Sequence, residues 1–256
     1  MIEIGLDFGT SNSGAAVFDG QQVRILPLDR RSLLPQVVKT ILYLPRSHQP
    51  LIGQEAIETY YRHNVNRPRR FVRQWVGELE FRGADMFYVR DLYTQVDELM
   101  PGRLLQYLKT ALRSGYAGTQ VFDRYYSLKE LIAIYLGLLK QRAEQELGET
   151  IGGVMLGRPV RFCEQDGPDQ QAEETLRQAA EQAGFERVRF ELEPVAAARF
   201  YERSLSQPKT ALIFDFGVAT LDMTILRLGD RHDRRVFASR GVGIAVSDFD
   251  QAIIQR

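Results

Sequence analysis

The chain has 256 residues, 44% of them hydrophobic, which suffices for a substantial core in one large domain or two ordinary ones. Thirty-three basic and thirty-three acidic side chains cancel, so no global field draws a nucleic acid or a membrane surface. The single cysteine, Cys163, excludes an intramolecular disulfide and fits a reducing compartment, and a cytoplasmic location is expected.

The opening, MIEIGLDFG, lacks a basic segment and carries Glu3 and Asp7 within its apolar run, so it does not read as a signal peptide. Residues 2 to 27 predict three short strands, IEIGLDF, SGAAVF and QVRIL, the last two joined by Asp19-Gly20, a dipeptide that favours hairpins. Residues 30 to 125 hold prolines 35, 45, 50, 68 and 101 and predict an inserted subdomain of short elements. Ser127 and Glu130 form a Ser-x-x-Glu capping box ahead of a helix to about Leu147, stopped by Gly148. Its run LIAIYLGLL, residues 131 to 139, is far below the roughly 20 residues a bilayer requires and reads as a buried helix face. The strand GGVMLGRPV follows. A helix after Pro168 and Asp169 carries Ala172, Leu176, Ala179, Ala180 and Ala183 at helical spacing and stops at Gly184. The strand VRFEL, the stretch EPVAAARFYERSL, strands at 210 to 215, 221 to 228 and 235 to 239, and the start of a helix in SDFDQAIIQR complete the chain.

Asp7-Phe8-Gly9 and Asp215-Phe216-Gly217 each end an apolar strand and begin a turn into a second strand, a repeat that suggests duplication. Such a turn exposes consecutive backbone N–H groups, which bind anions where small residues let a phosphate approach, and Gly9, Thr10, Ser11 and Asn12 suit that task. Asp7 and Asp215, facing each other across a cleft, are candidates to hold Mg²⁺ through waters. Taken singly, each aspartate reads better as a cap for its own turn.

Together these stretches resemble the nucleotide-binding domain of the heat shock protein 70 family, within the actin, hexokinase and heat-shock-chaperone superfamily. IGLDFGTSNSGAAVFDG resembles the first phosphate loop, and LIFDFGVATLDMTIL the second. VMLGRPVRF with AGFERVRFELEPVAAARFY resembles the segment between them, and GIAVSDFDQAI the Leu-Gly-Gly-x-Asp-Phe-Asp stretch beyond. The likeness is closest to divergent bacterial members. It implies an α/β chain of ribonuclease-H-like, actin-type ATPase fold, with a complete first lobe at residues 1–205, including the insertion at about 30–125, and a second lobe begun but incomplete at 206–256. It further implies ATP or ADP with Mg²⁺ in the cleft. Thr10, Ser11 and Asn12 would contact the phosphates, with Gly217, Thr220 and Asp222 completing the second loop, Asp7 and Asp215 organising Mg²⁺, and Glu193 orienting the attacking water. Glu193 also reads as the N-cap of the helix that Pro194 begins. The family places a lysine at the γ-phosphate, and spacing within FVRQWVG puts Arg73 there; alternatively, Arg62, Arg67, Arg69, Arg70 and Arg73 form a solvated basic face.

The sequence departs from that pattern where Val218 and Ala219, then Ala245 and Val246, replace glycines of the second lobe, so weakened nucleotide binding is expected. If Val218 needs a positive φ, it costs on the order of 1–2 kcal/mol. The chain also stops before the family's remaining subdomain and its peptide-binding domain, which reads as a C-terminal truncation; clients or co-chaperones would engage parts not contained here. Three alternatives stand beside the ATPase reading: a non-catalytic scaffold of the same fold, an actin-like filament protein and a sugar-kinase relative. Only the arginines at 62 to 73 speak for nucleic acid, and they lack a groove-reading motif.

Overall fold

The computed structural model describes residues 2–46, 49–82, 87–163, 165–218, 220–229, 235–243 and 245–254. The chain opens with β1 (Ile2–Phe8), β2 (Asn12–Phe18) and β3 (Val23–Ile25), an antiparallel meander in which Phe8 pairs with Ser13 and Ala16 with Ile25. Alternation along β1 sends Ile4, Leu6 and Phe8 into the core, so Asp7 must point to the opposite face. Beneath that core face lies α3 (below), whose Tyr135 ring meets Phe8 at a centroid distance of 5.7 Å.

The insertion is more regular than its prolines suggest. Strand β4 (Val38–Lys39) pairs with β2, and β5 (Ile41–Pro45) and β6 (Leu51–Ile52) lead into α1 (Gly53–Asn64). Next come β7 (Phe71–Arg82) and β8 (Phe87–Asp97), a long two-stranded arm, then β9 (Gly102–Gln106), which pairs with β5. A single helical turn, α2 (Leu108–Ala111), and the hairpin β10 (Gly118–Val121) and β11 (Arg124–Ser127) close the region. The expected basic face at 62 to 73 is dispersed: Arg67 pairs with Asp97 at 2.6 Å, Arg70 with Glu98 at 2.6 Å, and Arg73 stacks on Tyr93.

Helix α3 (Leu128–Leu147) begins and ends as the sequence requires. Ser127 Oγ accepts the Glu130 N–H at 3.2 Å, Glu130 Oε2 accepts the Ser127 N–H at 2.8 Å, and Gly148 closes the helix at φ 71°. Its apolar run is core: Leu131, Ile132, Tyr135, Leu136 and Leu139 are buried. Among the described residues, no helix is long and apolar enough to cross a membrane. After α3, β12 (Ile151–Arg158) lies parallel to β1, α4 (Asp166–Gln182) crosses over, and β13 (Arg187–Leu192) lies parallel to β12, which gives the sheet order β13-β12-β1-β2-β3. Helix α5 (Glu193–Glu202) then passes to a second sheet, β14 (Lys209–Phe216), β15 (Leu221–Leu228) and β16 (Arg235–Val242), followed by α6 (Val246–Ile254). Ala198 of α5 packs with Leu226 and Leu228 of β15, so the connecting helix is also the floor of the second sheet. The protein is thus of mixed α/β class, with a mixed sheet and the antiparallel sheet β14-β15-β16 joined through α5, and, among the described residues of 41–127, three further antiparallel sheets.

Candidate functional site

Each sheet contributes one tight turn, and the two are built alike. In the first, Phe8 pairs with Ser13 and Asp7 with Gly14; in the second, Phe216 pairs with Leu221 and Asp215 with Asp222, so both connections span four residues. A Cβ at Gly9 would overlap the Asn12 carbonyl oxygen, so the first turn requires glycine by close approach. The second turn is looser: a Cβ at Gly217 would stand 3.2 Å from the Thr220 oxygen, which accepts the Gly217 N–H at 2.9 Å. Val218 has no positive φ, so the conformational cost that a left-handed valine would carry does not arise. Ala219 lies outside the described residues. Ala245 is buried, and the Val246 N–H donates to the Gly217 carbonyl at 3.3 Å, seating α6 against the turn.

The turns face one cavity of about 1040 Å³ whose walls include Asp7, Gly9, Thr10, Ser11, Asn12, Glu193, Asp215, Gly217, Val218 and Thr220. Asp222 lies behind this wall, 1% exposed. The first five of these residues come from the first sheet and its turn, the last four from the second, and Glu193 from the start of α5 between them. Glu193 is not the N-cap that its position before Pro194 suggested. Leu192 holds that place, and the Glu193 carboxylate reaches across the cleft to the Lys109 ammonium in a short ion pair.

Arg73 is not in the cleft. It stands on β7 with its guanidinium 3.9 Å from the Tyr93 ring centroid, on the wall of a separate surface depression formed by the arm. The cation that meets Glu193 in the cavity is Lys109 of α2, only 8% exposed. Spacing alone misassigned it because the long β7–β8 arm intervenes between Arg73 and the segment that reaches the cleft. A signal was available: in LLQYLKTAL the lysine is flanked by Leu108, Ala111 and Leu112, and a lysine set among buried neighbours needs an anionic partner.

The electrostatics of the cleft are those of an anion-rich pocket short of cations. Desolvation by the cleft walls, then the Glu193 and Asp215 charges, push Asp7 up to about 6, against the opposing pull of Lys109. Asp7 still faces the open cavity, so water screens much of this interaction. Burial and Glu193 also raise Asp215. Asp222 is pushed up to about 6, chiefly by burial, and then by Glu193 and Asp215, although the Val160 N–H donates to it. Its Oδ1 is buried and, among the described residues, has no hydrogen-bond partner. Lys109 is engaged by Glu193 and Arg199 by Glu191, so the remaining pair of cavity carboxylates, Asp7 and Asp215, suits an added divalent cation. Among the described residues, no three carboxylate, imidazole or thiolate groups converge closely enough to grip a metal directly. Asp7 and Asp215, one from each sheet, are the residues that fit a hydrated divalent ion.

Comparison with known families places these features in one lineage. The sequence model of the Hsp70 protein family matches residues 3–255, from the first strand through α6. The paired turns, the carboxylates between them and nearly the whole length of the chain agree on one assignment: the chain belongs to the Hsp70 protein family, whose members are nucleotide-binding chaperones.

Proposed function

We propose that the cleft binds ATP or ADP and that the chain is the ATPase-type domain of a heat-shock-70-like chaperone. The observation that carries this reading is the convergence of two like turns, Lys109 and the carboxylates of Asp7, Glu193 and Asp215 on a single cavity. The sheet order β13-β12-β1-β2-β3 supports a ribonuclease-H-like first lobe spanning residues 1–205, with residues 206–256 beginning a second.

In this reading, Thr10, Ser11 and Asn12 cradle the phosphates from the first turn, and Gly217 and Thr220 do so from the second. Asp7 and Asp215 hold Mg²⁺ through its waters, where it supplies charge neutralisation to the phosphates. Glu193 orients the attacking water and accepts its proton. Lys109 takes the role of the phosphate-facing cation and keeps the Glu193 carboxylate in place between turnovers. Asp222 sets the field behind the second turn. Client or co-chaperone contacts follow from family membership alone.

Binding is weaker than a glycine-bearing second turn would give. Val218 lines the cavity and has side-chain bulk where glycine would let the backbone approach a phosphate. Calorimetry with Mg·ATP tests both statements. The expected result is a measurable but weak isotherm that tightens in Val218→Gly; absence of heat at millimolar nucleotide would sink the binding assignment, and an unchanged Val218→Gly isotherm the weakening.

A further inference from the structure

The second turn already commits one of its backbone donors internally. The Gly217 N–H is committed to the Thr220 oxygen at 2.9 Å and the Val246 N–H to the Gly217 carbonyl at 3.3 Å. A side chain from the first sheet's side of the cleft reaches the same corner. Past α2 the backbone continues in tight turns, with the Arg113 N–H donating to the Thr110 carbonyl at 3.0 Å, so Lys109 and Arg113 stand four residues apart on one side of the segment. Both line the cavity, as does Thr110. The Thr110 hydroxyl is buried and, among the described residues, has no hydrogen-bond partner. Arg113 extends to Gly243, just ahead of α6: a Cβ on that glycine would stand 2.5 Å from Arg113 Nη2. The glycine therefore makes the seat for the guanidinium. The Cys163 thiol, 3.7 Å from the Arg113 carbonyl oxygen, fixes the backbone from behind.

We propose that Arg113, with the Thr110 hydroxyl, is a second polyphosphate contact of the cleft, seated in the notch of Gly243 so that one guanidinium serves the bound phosphates and spans the two sheets. A guanidinium carries five N–H donors in a planar fork suited to phosphate oxygens, and it adds donors beside a turn whose Gly217 N–H is committed internally. The inference rests on the nucleotide reading given above.

The test is calorimetric titration of the full chain with Mg·ATP and, separately, with magnesium tripolyphosphate. Arg113→Ala is expected to weaken both by about ten-fold or more, as loss of a charge-assisted bidentate contact does. Arg113→Lys, which keeps the charge and the fold but loses the fork, is expected to weaken both several-fold. Gly243→Ala, which displaces the flexible end of Arg113 from its seat, is expected to weaken both by less than Arg113→Ala does, and the double variant to bind no worse than Arg113→Ala alone. Wild-type affinity in Arg113→Ala or Arg113→Lys overturns the inference, as does a loss confined to ATP and absent for tripolyphosphate. If the wild-type chain takes up neither ligand, the nucleotide reading itself falls and this one with it, whereas wild-type binding with unchanged variants sinks the Arg113 assignment alone.

Discussion

Asp222→Asn isolates the electrostatic cost built into the cleft. Asp222 is 1% exposed, has one oxygen unpartnered among the described residues, and is pushed up to about 6 from an ordinary 3.8 by burial first and then by Glu193 and Asp215. A folded-state pKa above the unfolded one means that the native protein holds this proton to higher pH. The associated stability is therefore complete below 3.8 and is lost as pH rises through about 6. About two units at ~1.4 kcal/mol each give a ceiling of about 3 kcal/mol. An asparagine keeps an acceptor for the Val160 N–H but must place its amide against Gly241, whose added Cβ would stand 2.6 Å from Oδ1, so the net gain expected at neutral pH is about 1–2 kcal/mol. Urea denaturation of the ligand-free protein from pH 4 to 8 measures it. The variant should match the wild type near pH 4 and exceed it above pH 6, with a shallower pH slope. Asp7 and Asp215, also raised, keep part of the slope in both proteins. A variant that is less stable than wild type at pH 7.5, with an unchanged slope, would refute the reasoning.

Three further outcomes follow from local geometry. Gly9→Ala forces a Cβ into the Asn12 carbonyl and should cost about 2–3 kcal/mol, while Gly217→Ala, whose Cβ makes a tight 3.2 Å contact that a shift of a few tenths of an ångström relieves, should cost about 1; equal costs in thermal denaturation would contradict the asymmetry of the turns. Lys109→Ala leaves Glu193 unpaired in a site where the two side chains are only 10% and 20% exposed, so it should lose about 2–4 kcal/mol and most Mg·ATP affinity. Arg73→Ala, on the arm, should leave that affinity within about two-fold, and calorimetry on the pair decides which residue serves the cleft. Ser127→Ala removes the acceptor of the Glu130 N–H and should lower the urea midpoint by the equivalent of about 1 kcal/mol; no shift would show that α3 does not depend on its capping box.

Much of the fold could be read from the chain because its signals are local. The alternation IEIGLDF turns Asp7 away from the core whatever the strand packs against, and Ser127, Glu130 and Gly148 mark the ends of α3 through bonds made within a few residues. The Asp-Phe-Gly repeat likewise fixed two strand-turn-strand units, and the structure gives them the same register. Only the tertiary structure decided which cation meets Glu193. Lys109 and Glu193 lie 84 positions apart, and the β7–β8 arm ahead of Lys109 offers arginines that sequence spacing cannot tell from a site residue. Burial decided the rest: Asp222 differs from any strand aspartate only because α5, the 160-loop and the second sheet close around it, and Val218 escapes strain only because the turn never asks it for a positive φ. Periodicity and capping act over a few residues and are written in the sequence, whereas desolvation and ion pairing across a cleft exist only once distant segments have been brought together.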